Sequence, residues 1–203
     1  MGKIDFRKEQ PALFAPPRDE FTLVKVPKLR FVKVDGKGDP NTASAYAEAV
    51  GWLYAVSYGL KFAAKQEGTD YVVPPLQGLW WADDYDAFAA GRRDEWRWTM
   101  MIMVPDFITK KQFDAAVKKA GGKLGAPPAT LRLDEYDEGL AVQILHVGSY
   151  ADEAPTIRRL HQEFLPANGL VETGPHHEIY LSDPRRTEAA KLKTILRQPV
   201  AQK

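Results

Sequence analysis

Hydrophobic and polar positions along this chain fall into two alternating periods. Over residues 29–35 they alternate as in a half-buried strand, and Gly36-Lys37-Gly38-Asp39-Pro40-Asn41 follows as a turn rich in helix-starting residues. From about Thr42 the period lengthens. Tyr46, Ala49, Val50, Leu53, Tyr54 and Leu60 recur at helical spacing, and Gly59 stands where a left-handed residue would end the helix. Strand patterns over residues 75–82 and 96–104 complete a β-α-β-β unit.

The second half repeats the order. Residues 140–147 read as a strand, Gly148-Ser149-Tyr150 as a turn, and Ile157, Leu160 and Phe164 as a helix that stops at Gly169, with further strands over 176–183 and 191–200. Gly38 and Gly59 stand 21 residues apart, as do Gly148 and Gly169, and Leu60 and Leu170 follow the two stop glycines. Between the halves, Phe113, Ala116, Val117 and Ala120 mark an amphipathic helix over 109–121, and Pro127-Pro128 marks a linker. Residues 1–20 carry Pro11, Pro16 and Pro17 among charges and read as an extended arm. The expectation is an α+β fold: one domain over 21–203 made by tandem duplication of a β-α-β-β module (about 21–108 and 130–203). Pseudo-twofold pairing would bury the open sheet faces and leave a central ligand cleft.

Composition narrows the function. Lys and Arg number 28 against 27 Asp and Glu, so no large positive field is available and direct nucleic-acid binding is not expected. The basic residues Lys25, Lys28, Arg30 and Lys33 and the acidic stretch Asp83, Asp84, Asp86, Asp94 and Glu95 read as solvated surface. The absence of cysteine removes disulfides and thiol chemistry and fits a cytoplasmic location. Neither the start, Met1-Gly2-Lys3-Ile4-Asp5-Phe6, nor any later run approaches the roughly 18 apolar residues of a membrane span, so no membrane partner is expected.

Residues 176–184 hold the candidate chemistry. Alternation puts Ile179 and Leu181 on one face, expected toward the helices, and His176, Glu178 and Tyr180 on the other, expected toward the groove. Desolvation there would raise the Glu178 pKa, and an aromatic or cationic ligand would pair with its carboxylate. Under the repeat, Gln77 matches Glu178 and Leu79 matches Tyr180. Of Trp80 and Trp81 one is expected in the core and the other on the pocket wall. Trp52, Tyr54, Tyr58, Trp96 and Trp98 add to an aromatic cluster suited to a flat apolar ligand. His146, His161, His176 and His177 show no metal-ligand spacing, so neither metal nor cofactor is expected.

At these residues the chain resembles the GyrI-like small-molecule-binding family in its stand-alone form. The resemblance runs from Phe21 to Val200 and rests on DEFTLVKVP (19–27), DGKGDPN (35–41), YVVPPLQGLWW (71–81) and HHEIYLSDP (176–184). It implies two β-α-β-β modules around a cleft for a hydrophobic aromatic small molecule, with the Glu at position 178 contacting the ligand. It also implies similarity to hydrolases that open the cyclopropane ring of cyclopropylindole toxins. Glu178 would then activate water, and Tyr54, Tyr58 or Tyr180 would stabilise the carbonyl oxygen. Gln77, Trp80, Trp81, Trp98, Tyr58 and His146 would contact the ligand. Gln77 stands where relatives commonly carry Glu, which leaves sequestration without turnover as the second reading.

Overall fold

A computed structural model describes residues 2–83 and 92–203. Asp84 and Asp86 of the acidic stretch, and Met1, lie outside the described residues. The chain forms two compact units, one from Met1–Glu9 and Leu29–Tyr136, the other from Gln10–Lys28 and Asp137–Lys203.

In the first unit a short helix α1 (Phe6–Glu9) precedes β2 (Leu29–Lys37), α3 (Ser44–Gln66), β3 (Leu76–Trp81), β4 (Arg97–Val104), α4 (Lys110–Leu124) and β5 (Arg132–Tyr136). These strands pair antiparallel in the order β3-β4-β2-β5, and a single parallel bridge joins Ile4 to Tyr71. Alternation sends Val32, Val34, Met100 and Ile102 to one face, and α3 contributes Ala49, Trp52, Leu53, Val56 and Leu60 to the same core. Gly59 does not end α3. It lies inside a 23-residue helix, where an added Cβ would come 3.4 Å from the Ala116 Cβ of α4. Gly68, at φ +94°, follows the true end. The start of α4 is fixed by a capping box between Thr109 and Gln112.

The second unit holds α2 (Pro11–Phe14), β1 (Thr22–Val26), β6 (Gly139–Val147), a 3-10 turn (Tyr150–Glu153), α5 (Ala154–Arg159), α6 (Leu165–Ala167), β7 (Leu170–Glu172), β8 (His176–Tyr180) and β9 (Lys193–Gln202). Its strand order is β1-β6-β9-β8, with β7 against the end of β9. In the first unit β5 pairs on the outer side of β2, and in the second β1 pairs on the outer side of β6, so the segment at 22–26 belongs with the second unit rather than opening the first. The N-terminal arm is likewise built in: Leu13 and Phe14 are buried, in contrast to a loose extended segment.

The helix over β6 and β9 is not regular. Between α5 and α6, residues Leu160–Phe164 widen to π geometry, and the Leu165 N–H reaches back to the Leu160 carbonyl. Pro166 has no N–H to give the carbonyl four residues earlier, which accounts for the break at this point. Leu160 and Leu165 still pack on Val142, Leu170 and Val200. Among the described residues no helix is long and apolar enough to cross a membrane.

Candidate active site

β8 presents His176, Glu178 and Tyr180 on one face, and strand register extends that face inward. Tyr180 lies opposite Thr194, which lies opposite His146, while Glu178 lies opposite Leu196. Val142 and Val200, on the same face by alternation, pack under Leu160, so the α5–α6 helix covers the Glu178 side. Ile179, expected toward the helix, is on the reverse face with His177, Arg197 and Gln143. There the arm covers the sheet: Arg197 Nη2 donates to the Leu13 carbonyl (2.6 Å) and Gln143 Nε2 to that of Ala12 (2.7 Å). Glu138 completes this network, bonded to His177 Nδ1 (2.8 Å) and accepting from Arg197 Nη1 (3.2 Å). Burial pushes the Glu138 pKa up, but His177 and then Arg197 outweigh it and hold the group below the usual range.

Glu178 accepts a hydrogen bond from the Tyr180 hydroxyl at 2.7 Å and keeps 16% of its side chain exposed. Burial pushes its pKa up to about 7, with the Tyr180 bond pulling the other way. A second carboxyl, Glu153, comes from the 3-10 turn before α5 and is 3% exposed. Burial, and then the charge of Glu178, pushes it up to about 9, moderated by the Thr194 hydroxyl. At neutral pH Glu153 therefore carries its proton while Glu178 is near its midpoint. His176 Nε2 lies 3.8 Å from Glu178 Oε1. Burial, followed by the charges of His161 and His177, lowers the His176 pKa to about 3, so the ring is neutral and this approach is not an ion pair. The amide of Gln198 and the hydroxyl of Thr194 come near His176 and Glu153 without the geometry of a hydrogen bond.

The other expected residues distribute as follows. His146 is on the Glu178 face, and its Nε2 is 3.1 Å from the Ser149 carbonyl, bracing the turn that delivers Glu153. In the first unit, Trp80 and Trp98 lie on the α3 side. Tyr46 stacks on Trp80 (6.1 Å) and meets Trp98 edge-on (5.3 Å). Trp98 is 1% exposed, a core residue rather than an open ligand wall. Trp81 and Gln77 are on the opposite face, Gln77 buried and Trp81 half-buried. Gln77 therefore differs from Glu178, which is on the helix-covered face of its own unit. Gly78 is the β3 residue that shares the Trp80 face. Tyr54 and Tyr58 stack on each other along α3 at 6.4 Å, the latter exposed.

Sequence reasoning missed Glu153 and Thr194. An acidic residue just before a helix-starting Ala-Pro is an ordinary helix-start signal, and no local pattern tells a buried one from a solvated one.

The family profile of the GyrI-like small molecule binding domain matches residues 19–201. An uncharacterized conserved protein from Listeria innocua is 40% identical over 98% of this chain and 100% of its own, with a TM-score of 0.90. A hydrolase from Listeria innocua is also 40% identical at the same coverage, with a TM-score of 0.84. The EcmrR C-terminal domain, 14% identical over 91% of this chain and 98% of its own, has a TM-score of 0.60 and shares the fold. No curated protein matches. By profile and by close relatives alike, the chain belongs to the GyrI-like small-molecule-binding family.

Proposed function

We propose that this protein is a hydrolase of hydrophobic aromatic small molecules, with Glu178 as general base and Glu153 as general acid, acting on cyclopropylindole-type genotoxins. What supports the acid–base assignment is a pair of desolvated carboxyls, Glu153 3% exposed and Glu178 held by the Tyr180 hydroxyl, with burial pushing both pKa values up and the charge of Glu178 raising Glu153 further. The hydrolase relative at 40% identity supports the reaction class. In such a toxin a strained cyclopropane is conjugated to a carbonyl. Water oxygen bonds to the ring methylene, the ring C–C bond breaks, and its electron pair moves to the carbonyl oxygen, which becomes a phenol. Glu178 takes the water proton and Glu153 supplies one to the oxygen, so the net change is addition of water. Tyr180 orients the Glu178 carboxylate.

The test is incubation with excess toxin, following the hydrated product by liquid chromatography and mass spectrometry. More than one product per protein is expected, with a loss of at least about 100-fold in Glu178→Gln. Undiminished turnover in that variant would overturn the role of Glu178. The rate should follow a bell between about pH 7 and about pH 9, the two limbs belonging to the pair, and Glu153→Gln, which removes the proposed proton donor, should lower the rate and leave a single limb.

A second reading, sequestration of an aromatic cation, is favoured by the same desolvated carboxyls, since a bound cation would favour their charged forms. It predicts saturable binding weakened by Glu178→Gln, and no product.

A further inference from the structure

Within the second unit, the arm and α5 form a cavity of about 330 Å³ lined by Arg18, Asp19, Pro155, Thr156 and Arg159. Both walls are anchored. On the arm side the Leu145 N–H donates to the Pro17 carbonyl at 2.9 Å, which ties the residue before Arg18 to β6. On the helix side Arg159 precedes the buried Leu160 and holds its guanidinium over the Phe21 ring, 4.8 Å from the centroid. Phe21 in turn lies 5.0 Å from Phe164 and packs on the cluster of Val142 and Leu160. A guanidinium stacked on a ring keeps the N–H groups along its edge for a further partner.

The charges around this cavity do not neutralise one another. Other arginines of the chain meet carboxylates: Arg132 meets Asp35, Arg185 meets Asp183 and Arg197 meets Glu138. Among the described residues Arg18 and Arg159 make no ion pair, and Asp19, on the same cavity, makes none either. Two guanidinium forks and the Thr156 hydroxyl form a donor set that suits a phosphate, which has oxygens for both forks and carries about −1.5 to −2 charges at neutral pH. A lone carboxylate fills one fork. Asp19 has the opposite requirement, a donor beside the phosphate, and an ammonium group meets it by donating and by offsetting its charge.

We propose that this cavity binds a small phosphate monoester that carries an amine, with the phosphate on Arg18, Arg159 and Thr156 and the ammonium on Asp19. The site shares no residue with the hydrolase reading, and its test reads binding alone.

The experiment is isothermal titration calorimetry of the full chain with O-phosphoethanolamine, with ethyl phosphate, which lacks the amine, and with ethanolamine, which lacks the phosphate. Expected is saturable binding of phosphoethanolamine, about tenfold tighter than ethyl phosphate, and no binding of ethanolamine. Arg18→Gln and Arg159→Gln should each weaken both phosphates about tenfold. Asp19→Asn should abolish the preference for phosphoethanolamine and leave ethyl phosphate no weaker. Lys25→Gln removes an exposed positive charge of the same unit outside the cavity and should change neither affinity. A loss there equal to that in Arg18→Gln would mean attraction to overall charge and overturns the site. No saturation below about 10 mM phosphoethanolamine, or wild-type affinity in Arg18→Gln, overturns it as well. Equal wild-type affinity for the two phosphates overturns the assignment of the amine to Asp19. Arg18→Gln leaves the Arg159–Phe21 contact intact, so it decides the matter if Arg159→Gln does not fold.

Discussion

Glu153 and Glu178 tie function to stability through protons. Both carboxyls bind protons more tightly in the folded chain than in the unfolded one, where glutamate titrates near about 4.3. Below that pH both states are protonated and nothing is lost. As pH rises from there toward about 9, the unfolded chain releases protons that the folded chain retains, so stability falls across that window. Glu153→Gln removes the larger contribution: its melting temperature should exceed that of the wild type at pH 9 and match it near pH 4, by calorimetry at the two pH values. An equal gain at both would show that the carboxyl does not titrate as argued. Gly36 makes a second residue-scale case. A Cβ there would sit 2.1 Å from the Trp98 ring, which backs onto the strand, so Gly36→Ala should destabilise by about 3 kcal/mol in urea unfolding. Which residues share a face with Glu178 was legible from alternation. Which side the helix covers was not, because alternation sorts a strand into two faces and leaves the assignment of each face to tertiary packing.

Elements were more readable than their ends. The six expected strands and the amphipathic α4 fall close to where periodicity puts them, whereas β5 and β7 were not foreseen and α3 runs on through Gly59 to Gln66. The glycine there serves the approach of α3 to α4 and is no stop signal, so the matched 21-residue glycine spacing joins a helix interior to a helix end. This makes Gly59→Ala informative: the methyl would meet Ala116 at 3.4 Å, an ordinary contact, and should stabilise by about 0.5–1 kcal/mol through reduced chain entropy. Destabilisation of that size would mean the helices cannot give even slightly. The π-widened turn was also invisible beforehand, since Pro166 reads as a helix end, whereas here the helix continues around it to Ala167. Leu160, at the start of that turn, anchors the helix in its cluster, and Leu160→Ala should cost about 2–5 kcal/mol by chemical denaturation.

At the scale of the whole molecule the chain is interleaved. Residues 10–28 belong to the unit completed by residues 137–203, and residues 1–9 to the unit completed by 29–136. A chain beginning at Leu29 would lack β1 and the carbonyls of Ala12 and Leu13. Arg197, 3% exposed, would lose a hydrogen-bond partner, and a buried donor left unmet costs about 1–3 kcal/mol. Hydrogen exchange should show protection lost through β6 and β9 while β2 and β4 keep theirs. The pairing of β1 with β6 has a further consequence at the ribosome. Thr22 meets Gln143, 121 residues later, so β1 leaves the exit tunnel as a bare strand long before its partner exists. Lys25, the fourth of its five residues, supplies the kind of charge that keeps such a strand from pairing with a neighbouring nascent chain. Replacing it with an apolar residue should therefore lower the soluble yield of new protein far more than it lowers the stability of protein already folded.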